Sequence, residues 1–297
     1  MTRNEFIAKD GKKISYVVWD NVENPVCVMQ ISHGMVEHAL RYDSFANEMN
    51  KLGVIVIADD HRAHGMTDID TLGYCKGNIW EGTLSDMYEL LHIAKQKYSL
   101  PVVLFGHSYG SFLSQEFIKR HNALLAGAII GGSSYFAGPV ITFGNLVAKI
   151  GCKCKGEDSK GVLIKKMSFD AYNKKFKEGT FISSIPAECE RYKADKMCGY
   201  ICSYNFYKGF FGGATKLYKM GNYSLKDFPV LLIAGDQDPV GEMSKGVLKL
   251  EKFYKKQNAK VETVIYSGVR HEYLNDTSRE KAIQKMNDFA RSVIQSK

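Results

Sequence analysis

The chain has 297 residues, which is enough for one α/β domain with an insertion or for two modest domains. Hydrophobic residues make up 45% and charged residues 24%, a composition that excludes a disordered or low-complexity chain. The formal net charge of +8 would favour an anionic partner, but the sequence has no helix-turn-helix, zinc-finger or RNA-recognition signature, so no nucleic-acid partner is predicted.

The first part of the chain alternates between short apolar runs and segments of helical period. The runs cover residues 26–31, 54–58, 102–105 and 127–130. The helical segments cover residues 42–52, 84–98 and 109–121. Continuous apolar runs are typical of parallel strands buried on both faces, and their alternation with helices predicts a doubly wound sheet. Residues 12–20 alternate in polarity and follow a turn, which predicts a leading antiparallel edge strand.

The alternation breaks down at about residue 133 and resumes after residue 223. The intervening sequence is rich in glycine, aromatic residues and lysine, and we expect its lysines to form a solvated face. The later elements are a strand at 229–234, a helix at 244–256, a strand at 261–266 and a helix at 278–294. We therefore predict a mostly parallel core formed by residues 1–132 and 224–297, with residues 133–223 inserted as a cap or lid over the sheet.

The N-terminus and the cysteines indicate the compartment. Charged residues lie on both sides of the short apolar run among the first ten residues, so neither a signal peptide nor a transmembrane span is expected there, and a cytoplasmic location is predicted. Seven cysteines is an odd number, which favours reduced thiols over a disulfide framework. The spacing of Cys152, Cys154, Cys189, Cys198 and Cys202 matches none of the usual paired zinc signatures, so no metal site is predicted.

A five-residue motif carries the clearest chemistry. In Gly106-His107-Ser108-Tyr109-Gly110 two glycines flank a serine, directly after an apolar run and directly before a segment of helical period. This pattern is typical of a nucleophile elbow, a strained strand-to-helix turn that leaves no room for side chains at the neighbouring positions. The motif predicts Ser108 as a catalytic nucleophile.

A serine nucleophile needs a base, and the base needs an acid. His271 is the one histidine after the last predicted strand, and it lies in the loop before the final helix. The strand at 229–234 is followed by Asp236 and Asp238, which gives the chain order serine, acid, histidine of this type of hydrolase. Asp238 precedes Pro239 and is favoured as the acid because that position is held extended; Asp236 is the alternative and better suits the turn.

Acyl transfer also needs backbone donors for the oxyanion of the tetrahedral intermediate. The amide of Tyr109 follows the nucleophile and supplies one donor. The amide of Met35, after the flexible Gly34, is predicted to supply the other. His33 and His38 in the same loop are interpreted as groups that fix the loop, and no cofactor is predicted.

Taken together, these segments resemble the monoacylglycerol lipase and lysophospholipase branch of the α/β-hydrolases. The matching pieces are residues 33–38, 60–65, 106–110, 235–240 and 268–272. The resemblance implies a serine esterase or lipase with the triad Ser108, Asp238 and His271 and with oxyanion amides at Met35 and Tyr109. The chain departs from the branch at Ala63, where members usually carry glycine, and in the cap, which matches weakly outside residues 195–199.

The cap would select the substrate, since loops and insertions around a fixed centre set specificity in such folds. Its apolar and aromatic stretches fit an acyl pocket under a mobile lid, or equally a cap that simply packs on the core. A basic amphipathic first cap helix would also allow peripheral contact with an anionic membrane.

The leading hypothesis is hydrolysis of a small-molecule ester with a medium or long acyl chain. The alternatives are cleavage of another bond by the same residues, such as a peptide amide or a carbon–carbon bond, or a non-catalytic binding protein on this fold. The sequence predicts no oligomeric state.

Overall fold

The computed structural model describes residues 1–219, 221 and 223–295. Its centre is one eight-stranded sheet with the spatial order β1-β2-β4-β3-β5-β6-β7-β8. The strands are β1 (Thr2–Ile7), β2 (Lys13–Trp19), β3 (Cys27–Ser32), β4 (Val54–Asp59), β5 (Val102–His107), β6 (Gly127–Gly131), β7 (Pro229–Gly235) and β8 (Lys260–Tyr266). From β4 to β8 neighbouring strands run parallel, whereas β2 is antiparallel to both β1 and β4.

Helices cover both faces of this sheet. They are α1 (Asp43–Lys51), α2 (Ile79–Tyr98), α3 (Tyr109–His121), α4 (Pro139–Lys155), α5 (Val162–Lys165), α6 (Ala171–Asn173), α7 (Pro186–Ala194), α8 (Tyr204–Ala214), α9 (Lys245–Lys256) and α10 (Arg279–Gln295). Helices α1 and α10 share one hydrophobic core with one sheet face, and α2, α3 and α9 share a second core with the other face. The predicted doubly wound, mostly parallel α/β sheet is therefore confirmed.

Two predicted elements differ from the structure. Strand β2 is not the edge of the sheet, because β1 pairs with it along its length. β1 escaped prediction because its side chains are mostly exposed or half-buried, so its sequence lacks a buried apolar face. Helix α2 begins at Ile79 rather than at residue 84, since Asn78 caps it by accepting a hydrogen bond from the amide of Glu81 at 3.3 Å.

Residues 133–223, which lie between β6 and β7, are called the cap segment, and their described part contains the five helices α4 to α8. A π-helical turn, Lys166–Asp170, joins α5 to α6. Helix α8 packs between α4 and α2, and the contact with α2 is close because Gly213 faces the ring of Trp80. A Cβ atom at Gly213 would lie 2.1 Å from that ring, so only glycine fits. In the described part of the chain no helix is long and apolar enough to cross a membrane.

Candidate active site

Ser108 lies between β5 and α3 in a conformation that few residues adopt. Its backbone angles are φ 52° and ψ −119°, in the region that favours glycine. The turn also brings α3 against β3, since a Cβ atom at Gly110 would lie 1.9 Å from the carbonyl oxygen of Ser32. This is the sharp strand-to-helix turn of a nucleophile elbow, which directs the serine side chain away from the sheet.

The structure brings His271 and Asp238 together. The Nδ1 atom of His271 lies 2.9 Å from Oδ2 of Asp238, and both side chains are buried. The amide of Val240 donates to Oδ1 of Asp238 at 2.8 Å, which fixes the carboxylate on its other side. Nδ1 of the ring is thus engaged, which leaves Nε2 free to exchange a proton.

Asp236, the alternative acid, has a different partner. Its Oδ1 atom accepts a hydrogen bond from the amide of Gly268 at 2.8 Å and so joins the turn after β7 to the turn after β8. The side chain is partly exposed, whereas Asp238 is fully buried. Of the two aspartates, the structure places Asp238 at the histidine.

Two neighbouring histidines differ in protonation behaviour. Burial works to lower the pKa of His271, but the charge of Asp238 and its hydrogen bond outweigh burial, so that the pKa of His271 stands above its usual 6.5. His107 packs beside it, with 4.8 Å between ring centroids. Burial, followed by the nearby charge of His271, lowers the pKa of His107 to about 3. His107 therefore stays neutral where His271 titrates.

Buried histidines hold the loop that carries Met35. Nε2 of His33 accepts from the amide of His61 at 2.9 Å, and Nε2 of His64 accepts from the amide of Val36 at 3.0 Å. The rings of His33 and His61 stack with 4.1 Å between centroids. Although residues 60–65 stood out as a motif, their sequence did not reveal this supporting role.

Ala63 lies in the same supporting turn at φ 69°, a left-handed conformation that favours glycine. Its carbonyl accepts hydrogen bonds from the amide of Gly73 at 2.8 Å and from the hydroxyl of Tyr200 at 3.1 Å. The geometry explains why glycine suits this position, and the departure from glycine leaves local strain.

A buried ion-pair network behind the site was not foreseen from the sequence. Arg41 pairs with Glu37 at 2.8 Å and with Glu272 at 2.6 Å, and Glu37 also accepts a hydrogen bond from the amide of Gly34 at 2.5 Å. Burial works to raise the pKa of Glu272, but the charge and hydrogen bonds of Arg41 outweigh it and hold the pKa below its usual range. The Glu272 carboxylate is therefore charged at neutral pH.

A large cavity opens onto these residues. Its volume is about 1180 Å³ with the open space at its mouth included, and its wall contains Ser108, His271, Met35 and Tyr109. Most of the remaining wall is apolar and comes largely from the cap segment: Phe136, Val140, Phe143, Val147, Phe210 and Phe211. Such a cavity accommodates a long apolar group next to the serine.

One group of side chains in the described part of the chain has donors of the kind that bind metals. It consists of His38, Asp195 and Cys198, whose donor atoms lie within 4.8 Å of one another. Nε2 of His38 and Oδ2 of Asp195 lie 2.8 Å apart in a direct hydrogen bond, which joins the Met35 loop to the cap segment. This contact is of the loop-fixing kind expected for His38. The cysteines are free thiols.

The sheet order, the elbow after β5 and the helices on both faces define an α/β-hydrolase. Residues 23–278 match the family described as "Serine aminopeptidase, S33", and the chain belongs to that family. The resemblance to the monoacylglycerol lipase branch is also confirmed by its relatives.

Two curated relatives and one solved structure illustrate the similarity. The monoacylglycerol lipase of Mycolicibacterium smegmatis is 24% identical, with 97% of each chain covered. The human monoglyceride lipase is 26% identical over 144 residues, which cover 48% of this chain and 46% of that protein. The crystal structure of a thermostable carboxyl esterase from Bacillus coagulans with glycerol is 26% identical, covers 99% of both chains and superposes with a TM-score of 0.87.

Proposed function

We propose that the protein is a serine hydrolase that cleaves carboxylic esters with medium or long acyl chains. The observation that carries the proposal is the apolar cavity beside Ser108, which shares its wall with a histidine hydrogen-bonded to a buried aspartate. An apolar cavity wall suits an acyl chain, and the adjacent serine, histidine and aspartate suit acyl transfer.

In the proposed reaction Ser108 Oγ attacks the ester carbonyl carbon while Nε2 of His271 takes the hydroxyl proton. The negative charge that develops on the carbonyl oxygen is held by the amides of Met35 and Tyr109, and Asp238 stabilises the imidazolium. Collapse of the intermediate breaks the bond to the alcohol, which leaves with the proton from His271. A water molecule then gives its proton to His271 and attacks the acyl-serine, and the acid is released as Ser108 regains its proton.

Residues 133–223 would act in this proposal as the cap that selects the acyl group. They supply most of the apolar wall, while the core supplies the reacting groups. The names of the relatives, monoacylglycerol lipase and carboxyl esterase, support an ester as the substrate. The family description includes aminopeptidases, which supports amide cleavage as a second candidate.

A two-stage assay separates these functions. A fluorophosphonate probe should label Ser108, and p-nitrophenyl esters of graded chain length should be hydrolysed with a preference for medium or long chains. Labelling without ester turnover, combined with cleavage of aminoacyl p-nitroanilides, would favour the amidase. The absence of labelling would favour a non-catalytic binding protein on this fold.

We also propose peripheral contact between the cap segment and an anionic membrane. Four apolar side chains of the single helix α4 are exposed: Val140, Phe143, Leu146 and Ile150. Lysines 149, 153 and 155 lie on the same helix. Apolar groups would enter the acyl boundary while the lysines meet anionic head groups.

Sedimentation with vesicles of phosphatidylserine and phosphatidylcholine tests this contact. Leu146→Ser should weaken binding, whereas Leu248→Ser, which alters an exposed leucine on α9, serves as the matched control. No sedimentation of the wild-type protein at low salt would discard the proposal.

A further inference from the structure

The stretch between α6 and α7 belongs to the cap segment but packs against the loop that carries His271. Residues 176–184 form no helix or strand. The amide of His271 donates to the carbonyl of Phe181 at 3.1 Å, and the amide of Glu272 donates to the carbonyl of Ile182 at 2.7 Å. We call residues 176–184 the anchored stretch.

Arg270 holds the middle of the anchored stretch. Its Nη1 atom donates to the carbonyls of Glu178, Thr180 and Ser183 at 3.0, 2.8 and 3.0 Å. Gly179 passes beside the guanidinium at φ 72°, where a Cβ atom would lie 3.0 Å from Nη1. The three carbonyls thus converge on one cation, and Gly179 between them leaves room for the guanidinium.

Both ends of the anchored stretch are also held. At its start, the guanidinium of Arg270 lies over the ring of Phe176, 4.1 Å from the centroid. At its end, Asp276 accepts hydrogen bonds from the amide and hydroxyl of Ser184 and, at 3.1 Å, from the amide of Arg270. The loop of His271 therefore contacts the anchored stretch at both ends and in the middle.

The anchored stretch forms one wall of the cavity. Phe181 and Ile182 are buried and line it, and the ring of Phe181 lies 5.4 Å from that of His271. The wall formed by α4 is different, since Val140 and Phe143 line the same cavity and yet are 78% and 52% exposed. One wall is thus fastened to the core, and the other faces solvent.

We propose that Arg270 is a positioning residue that fixes the anchored stretch as the permanent wall of the acyl site, so that opening of the cavity is left to α4. The proposal rests on the ester hydrolase function proposed above. Phe181 and Ile182 line the cavity from within the anchored stretch, so Arg270 acts on the binding of long acyl chains more than on the chemistry at Ser108.

The first test compares Arg270→Met with Arg191→Met. Methionine keeps an apolar stem and removes the donors, and Arg191 is a matched control on α7 with an exposed side chain. In Arg270→Met, trypsin should cut after Lys174, Lys175 or Lys177 about tenfold faster than in the control, because the stretch opens more often. Mass spectrometry identifies the cut sites, and circular dichroism shows that both variants are folded.

The second test uses p-nitrophenyl esters of short and long chains. Arg270→Met should raise KM for the long ester about tenfold while kcat for the short ester and the rate of fluorophosphonate labelling change less than about threefold. Arg270→Lys, which retains a cation with three donors but loses the planar guanidinium over Phe176, should recover part of the loss.

Cleavage rates and chain-length preference equal to those of Arg191→Met would overturn the proposal, as would an equal loss for both esters. If the wild-type protein neither labels nor hydrolyses esters, the proposed function fails, and the proteolysis comparison still decides whether Arg270 anchors the stretch.

Discussion

Arg41 binds both oxygens of the Glu272 carboxylate, through Nη1 at 2.6 Å and Nη2 at 2.8 Å. The same guanidinium binds Glu37, and all three side chains are almost fully buried. Glu272 follows His271 directly, and Glu37 lies in the loop of Met35. The ion pairs therefore join the loop of the proposed base to the loop of the proposed oxyanion donor.

Removal of Arg41 should destabilise the fold strongly. Arg41→Met leaves two buried carboxylates without their cation, which should lower the free energy of unfolding by about 3–5 kcal/mol. Urea denaturation measures the loss. The double variant Arg41→Met with Glu272→Gln should lose less, because the unpaired charge of Glu272 is gone.

The control for Arg41 is Arg191→Met. Arg191 pairs with Glu188 on the surface, with 68% of the arginine side chain exposed, so its removal should change the free energy of unfolding by less than about 0.5 kcal/mol. If the two arginine variants were equally stable, the buried network would not contribute as argued.

The sequence predicted features formed by consecutive residues, and it did not predict contacts between residues far apart in the chain. The elbow at Ser108 could be predicted because its strand and its helix are consecutive in the chain. Arg41 and Glu272 are 231 positions apart, so only the fold reveals their contact. The packing of the helices of the cap segment could not be predicted either, because they are held by contacts such as that of Gly213 with Trp80, which leave no periodic pattern in the sequence.

The pH dependence of activity should report on His271. Its pKa stands above 6.5, so kcat/KM should be lost as pH falls through a midpoint above 6.5, where the ring becomes protonated and can no longer act as base. The effect on stability has the opposite sign: the contact with Asp238 stabilises the fold below pH 6.5, and this contribution is lost as pH rises through the folded pKa. A profile of kcat/KM from about pH 5 to about pH 9 locates the midpoint.

The Asp238→Asn variant tests whether His271 is the group whose titration sets the pH dependence of kcat/KM. Loss of the charge should move the midpoint to lower pH and reduce kcat sharply. His107 cannot produce the transition, because its pKa is lowered to about 3. A midpoint that stayed in place in Asp238→Asn would assign the titration to a group other than His271.

Two glycine substitutions should have opposite effects. Gly110→Ala places a Cβ atom 1.9 Å from the backbone of Ser32, so the elbow must shift. We expect the variant to lose several kcal/mol of stability and also to lose fluorophosphonate labelling. Gly212→Ala in α8 meets nothing within 4 Å and should stabilise the fold by about 0.5–1 kcal/mol. Thermal unfolding of both variants provides the comparison, and a neutral Gly110→Ala would contradict the close approach of α3 to β3.

The strain at Ser108 should be measurable apart from its chemistry. Ser108→Ala and Ser108→Gly both lack the proposed nucleophile and should both fail to label or turn over ester. A non-glycine residue in this conformation costs about 1–3 kcal/mol, and glycine loses about 0.4–1 kcal/mol more on folding than alanine. Ser108→Gly should therefore be more stable than Ser108→Ala by about 1 kcal/mol. At Ser85, inside α2, the same pair of substitutions should have the reverse order, because glycine weakens a helix. If glycine were the less stable residue at both positions, Ser108 would not store strain.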